Sequence, residues 1–298
     1  LVLGEISASN PYSFSNVWTT SYQCIRRANT VFARIDEAKD LTAQDRAELL
    51  SLNRFIRAYA YYKLWLAYGP VILIGDEEIP SNLDMGDYDR ARATNEETVE
   101  YICSELEEAA KYLPETYPLM EFGRPTKGAA YGLIARIRTY YASPLWNGGE
   151  AARRCFGNWY RKTDRVKYVT TDEYDEERWA IAAAACKRVM NMKKSGAPMY
   201  SLFTVQEDTQ TPPLPEGVTS DPDFYEPYPV GAAGIDHLRS YSEQFTGEAV
   251  IATNPEYVWG RKSQTLVDNT RMSFPISFGG WGGMALTQKI VDSYSMYD

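Results

Sequence analysis

Proton transfer, metal binding and ring stacking each need particular side chains, and this chain offers them unequally. Two acid groups stand out, Glu77-Glu78 and Asp175-Glu176-Glu177. A pair of carboxylates facing each other about 5–9.5 Å apart across a sugar would make a glycosidase. Adjacent acids at a helix start are explained equally well by the positive end of the helix dipole. Cys24, Cys103, Cys155 and Cys186 form no CxxC pair, and His237 is the single histidine, so no zinc or other metal site is expected. The cysteines read as buried free thiols, and His237 as a surface residue near a helix start. No GxSxG, HExxH, Walker A or GxGxxG motif occurs. The expectation is a binding protein, not an enzyme, with no cofactor.

Aromatic residues carry the stronger signal. Tyrosine is in excess, with 23 Tyr and 7 Trp beside 10 Phe, and amphipathic rings suit a surface that stacks on something polar. Tyr225 and Tyr228 lie in DFYEPYP, where proline stiffens the chain. Trp281 is flanked by Gly279, Gly280, Gly282 and Gly283, which let a ligand approach closely. Trp146-Asn147, in PLWNGG, sets a ring beside an amide. These five residues are the candidate ligand contacts.

Helices must position them. Residues 43–68 form the central one: Leu52, Phe55, Ile56, Tyr59, Tyr62 and Leu66 recur at i, i+3, i+4, i+7, i+10 and i+14, with Arg54, Arg57 and Lys63 on the wet face. Thr42 marks its start and Gly69-Pro70 its end; Val71, Ile72, Leu73 and Ile74 must be buried beyond it. Further helices are expected over 14–38, 95–112, 127–142 and 174–192. In the last, Trp179, Ala182, Ala183, Cys186, Val189 and Met190 should face inward. Trp65, Tyr59, Tyr61 and Tyr62 stand at core spacing.

Two sets of positions follow the tetratricopeptide pattern of interlocking large and small residues. Phe55, Ala58, Tyr59 and Tyr62 with Ile102, Leu106, Ala109 and Pro114 make one. Ala130, Leu133, Ile134 and Ile137 with Ala182, Cys186 and Val189 make the other, without the proline. The interval from Tyr62 to Ile102 is several times what that repeat allows. The segments 75–93, 144–173, 204–232 and 271–284 read as long inserts, and loops of that length usually bind or gate something. From Glu248, AVIATNPEYVW reads as a short strand with a turn.

Net charge is −9, from 31 Lys+Arg against 40 Asp+Glu, which speaks against a nucleic-acid partner. No stretch reaches the roughly 18 uncharged apolar residues of a membrane helix. The length suits one large domain or two.

In order along the chain come RRAN (26–29), FIRAYAYYKLWLAYGPVIL, a TNEE-opened helix ending in LP, RPTKGAAYGLIARIRTYYASPLWNGG, and GGWGGMALTQKIVDSY. Together these resemble the SusD/RagB family of nutrient-binding outer-membrane lipoproteins. The resemblance implies a mainly α fold: a tetratricopeptide-like scaffold of helical pairs with long loop inserts and minor β. It would be a single SusD-like domain over 1–298, with scaffold over about 14–192 and a loop-rich binding region over about 193–298, cut at both ends. It implies surface exposure at the outer membrane, an oligosaccharide or polysaccharide ligand, and delivery to a SusC-like TonB-dependent transporter. Membrane contact would come only through a lipid anchor absent from this chain. Sugar rings present flat C–H faces to aromatic side chains while amides and carboxylates bind their hydroxyls, which suits the five candidates. A helical glycoside hydrolase or lyase, or a tetratricopeptide scaffold that binds peptides, is the alternative.

Overall fold

Five helices pack in chain order, each against its neighbour, in the computed structural model, which describes residues 17–80, 82–170, 172–246, 248–250, 253–260, 277 and 279. The chain divides into two units, Leu1–Trp259 and Gly260–Asp298. In the first, α1 (Trp18–Arg34) packs on α2 (Ala43–Tyr68), α2 on α3 (Asn95–Ala110), and α3 on α4 (Lys127–Ala142). A short α5 (Gly149–Phe156) follows, and α6 (Glu177–Met190) returns against α4. Side-chain pairs give the directions. Trp18 meets Tyr68 and Asn53 reaches the Ala28 carbonyl, so α1 and α2 are antiparallel. Trp65 with Asn95 and Arg57 with Glu105 make α2 and α3 antiparallel as well. The described residues are mainly helical, with only two short two-stranded sheets, β1 (Lys193–Lys194) with β2 (Ala197–Pro198) and β3 (Val205–Gln206) with β4 (Ile235–Asp236). No described helix is long and apolar enough to cross a membrane.

The helix ends are chemically marked. Thr42 accepts the Asp45 N–H at 3.1 Å while the Asp45 carboxylate accepts the Thr42 N–H, a capping box. Thr94 and Glu97 repeat it at the start of α3. Gly69 ends α2 at φ 66, a left-handed conformation that disfavours any side chain, and the Trp146 ring lies where a Cβ would meet it at 3.2 Å. Beyond it only Val71 of the apolar run is fully buried. Two tyrosines hold the run. Burial pushes the Tyr22 hydroxyl up to about 12, so it stays protonated, donating to the Ile72 carbonyl and accepting the Ile72 N–H. The Tyr61 hydroxyl accepts the Ile74 N–H.

The core runs through α2, α3 and α4, with Phe55, Tyr61, Tyr62, Leu64, Trp65, Ile102, Leu106 and Ile137 at its heart. Residues 253–259 return to it: Trp259 meets Phe55 and Tyr59 edge-on, and its indole N–H donates to the Gly123 carbonyl. Several faces differ from expectation. Arg57 is 1% exposed, not wet, whereas Ile56 and Leu66 point outward. The buried arc of α2 is centred on Ala58, Tyr61 and Trp65, because α2 is flanked on two sides by α1 and α3. On α6 only Ala182 is buried; Trp179, Ala183, Cys186 and Met190 are exposed and Val189 half-buried, since α6 is an edge helix packed against α4 alone among its closest neighbours. Cys155 and Cys186 are exposed and Cys24 partly so, leaving Cys103 as the buried thiol. The strand expected from Glu248 is not formed among the described residues there.

Candidate functional site

The segment following β2 holds two of the five candidate contacts. Asp221 caps a 3-10 turn, Pro222–Tyr225, by accepting the Asp223 N–H at 3.0 Å. Phe224 meets the Tyr225 ring edge-on at 5.0 Å. The Tyr225 hydroxyl donates to the Pro215 carbonyl at 3.1 Å, which ties the ring across the loop, yet Tyr225 keeps 47% exposure. Tyr228 is half-buried, and its N–H donates to the Ala233 carbonyl. The Ala233 N–H returns a bond to the Glu226 carbonyl, and the Ala232 N–H reaches Phe224. So backbone bonds brace the stretch that carries both rings.

A polar frame closes the loop at its base. Strands β3 and β4 pair antiparallel, and α7 (His237–Thr246) begins directly after them. Ser240 donates to the Asp236 carbonyl and accepts the Val205 N–H. The buried Asp236 carboxylate accepts from the Arg239 N–H and the Thr211 hydroxyl. Arg239 in turn bonds Asp208 at 2.9 Å and Glu243 at 3.0 Å. His237 is exposed at the start of α7, as expected.

The Arg239 backbone bond, with the Thr211 hydroxyl, holds the Asp236 carboxyl below its ordinary 3.8. A depressed carboxyl contributes stability above its unfolded pKa and loses it as pH falls through the folded one. The loop base should therefore loosen below about pH 3.8. In Asp236→Asn it should be looser at neutral pH and lack this part of the acid response. Amide exchange at Val205 and Arg239 reads it; identical pH profiles for the two proteins would refute the assignment.

The remaining candidates lie elsewhere. Trp146 is 6% exposed, and its ring packs against Trp65, Tyr140 and Phe156. Asn147 is fully buried, donating to the Ala142 and Asp175 carbonyls and accepting the Asp175 N–H. Both face inward, which corrects their reading as ligand contacts: the turn after α4 folds under α5 and the segment ahead of α6. Trp281 lies outside the described residues. Of the two acid groups, Glu77, Glu78 and Asp175 have partners of their own, while Glu176 and Glu177 are exposed. Arg90 grips Glu77 through two bonds and holds its carboxyl below the ordinary range, which suits an ion pair and not a proton donor. Glu78 accepts from Thr30, and Asp175 accepts the Glu177 N–H.

Residues 3–139 match a SusD-like family described as starch-binding associating with outer membrane. Over these residues, a little under half of its length, the chain is similar to the SusD-like family. A SusD-like protein of Bacteroides ovatus is 27% identical over 139 residues, 46% of this chain and 24% of that relative. The solved structure of BT4246 superposes with a TM-score of 0.55 at 27% identity, covering 62% of this chain and 31% of that one. The matched region thus spans a third or less of these relatives. The SusD-like match falls on the scaffold, α1 to α4, while the braced tyrosine loop lies beyond the residues that the family description matches.

Proposed function

We propose that this SusD-like chain is the glycan-capturing part of a surface lipoprotein of the outer membrane, which passes oligosaccharide to a SusC-type TonB-dependent transporter. The observation that carries the glycan reading is Tyr225: a ring tied at its hydroxyl, braced from below, and open over nearly half its surface. A ring fixed before binding loses little rotamer entropy on stacking. Exposed Asp223 and Glu226 beside it offer acceptors for sugar hydroxyls. The family description, starch-binding, points to the same ligand class. Binding without chemistry is favoured because Glu77 and Asp175 are occupied by their own partners.

A glycan array identifies the ligand, and calorimetry with it tests the site. Tyr225→Ala and Tyr228→Ala should each weaken binding by about 1–2 kcal/mol, with little salt dependence, since neutral hydroxyls and ring faces carry the contact. Circular dichroism controls for folding. Equal affinity in both variants and the parent would rule the loop out. Hydrolysis of the oligosaccharide that tracks the pure protein and vanishes with one carboxylate would replace the binding reading by the enzyme one.

A further inference from the structure

Tyr174 and Trp179 are 48% and 40% exposed at the entry to α6, although the sequence pattern assigns Trp179 to the core. The Trp179 indole N–H donates to the Tyr174 hydroxyl at 2.5 Å. The indole donor is thereby satisfied within the pair, while both side chains keep a large exposed fraction. Exposed tryptophan is uncommon on a surface without a partner, because its ring is the largest apolar group a side chain offers.

The backbone that carries the pair is fixed from beneath. Asn147 makes two bonds to Asp175, at 2.8 and 3.1 Å, and a third to Ala142. Gly148 has φ 67, and a Cβ there would sit 2.0 Å from the Glu173 carbonyl oxygen, so only glycine lets the two segments lie this close. Arg178, between the two rings in sequence, donates to the Trp146 carbonyl and lies over the Tyr141 ring at 4.2 Å. Arg153 holds the Asp172 carbonyl. Buried Trp146 and Asn147 are thus the foundation of an exposed aromatic pair.

Charge narrows what that pair would accept. Glu173, Glu176 and Glu177 are exposed on the same stretch, while the nearby Arg178 guanidinium is already engaged. Carboxylates accept hydrogen bonds from hydroxyls and repel anions. A neutral sugar ring, with a flat C–H face and donating hydroxyls, fits both properties. We propose that Tyr174 and Trp179 form a second carbohydrate platform, carried by the scaffold and independent of the tyrosine loop, for the face of a neutral hexopyranose. The proposal extends the glycan-binding reading and rests on it only for the ligand class.

Indole N–H signals of the 15N-tryptophan-labelled chain test it, with Trp179 assigned through Trp179→Phe. Maltoheptaose, laminarihexaose and cellohexaose are the probes. At least one should move the Trp179 signal saturably, and should still do so in the Tyr225→Ala, Tyr228→Ala double variant. Trp179→Ala should weaken that residual binding about ten-fold, whereas Trp179→Phe, which keeps a ring, should retain most of it. Asn147→Ala, a positioning change, should weaken it while leaving the loop's own contribution unaltered. A sugar that binds, leaves Trp179 unmoved and is lost in the loop variant would overturn the platform and keep the loop site. If none of the three shifts any signal, the platform and the glycan reading fall together. Movement of Trp179 only with tetramethylammonium would make it a cation site and overturn the proposal.

Discussion

Arg57→Ala should cost about 3 kcal/mol or more of unfolding free energy, because it leaves a buried carboxylate short of its main partner. Arg57 is sealed among α1, α2 and α3. Its Nε and Nη2 bond Glu105 at 2.9 and 2.5 Å, its Nη1 reaches Asp76, Asn29 and the Gly75 carbonyl, and its guanidinium lies 4.6 Å over the Phe32 ring. Burial alone would lower the Arg57 pKa, but the Glu105 charge and these hydrogen bonds outweigh it and raise it above the usual value. Arg54 also bonds Glu105 at 2.5 Å, which keeps the loss toward the low end of the range for broken buried pairs. Urea unfolding of the variant measures it. The double change Arg57→Met with Glu105→Leu removes both charges and should recover much of the loss. A single variant within about 0.5 kcal/mol of the parent would mean that the network contributes nothing.

Phe55→Ala should cost about 3–5 kcal/mol, the range for emptying a buried phenylalanine site. The ring is 1% exposed, parallel to Tyr59 at 6.5 Å and edge-on to Trp259 at 5.2 Å, so neighbours from two distant segments would have to collapse to fill the space. Ile56, next in sequence, points to solvent, and Ile56→Ala is its control at within about 0.5 kcal/mol. Comparable losses for the two variants would mean that the buried face of α2 is wrongly placed.

The contrast between Phe55 and Arg57 shows how far sequence reading reaches. Helix positions were legible because threonine caps, Gly69-Pro70, Pro114 and Pro144 punctuate them locally. Facing was not, because it depends on how many neighbours a helix has. On α2, a single-stripe reading puts Ile56 inside and Arg57 outside, whereas burial by α1 and α3 together reverses both. The partners that make Arg57 tolerable, Asn29 and Glu105, lie 28 and 48 residues away and leave no periodic trace. On α6, the run AIAAAAC offers small residues on every side, so nothing in it distinguishes inside from outside. At 8 and 10 residues, α5 and α7 are shorter than the window over which helical periodicity is read from sequence. In the site, proline and tyrosine flagged the loop holding Tyr225 and Tyr228. The Tyr174–Trp179 pair escaped, because its exposure follows from an edge helix and from a buried amide in another segment.

Trp259 has a consequence for how this protein is made. Its indole completes the shell around Phe55 and Tyr59 and bonds Gly123, 136 residues earlier. During synthesis α1 to α4 can pair as soon as they emerge, since each contacts its neighbour in sequence. The face of α2 that Trp259 covers cannot close until nearly all of the first unit has left the ribosome. At the roughly 5–20 residues per second of translation, that aromatic patch stays open for several seconds to tens of seconds. A nascent chain in this interval presents Phe55 and Tyr59 to whatever chaperone attends the exit tunnel, and a chain stalled before residue 259 presents them permanently.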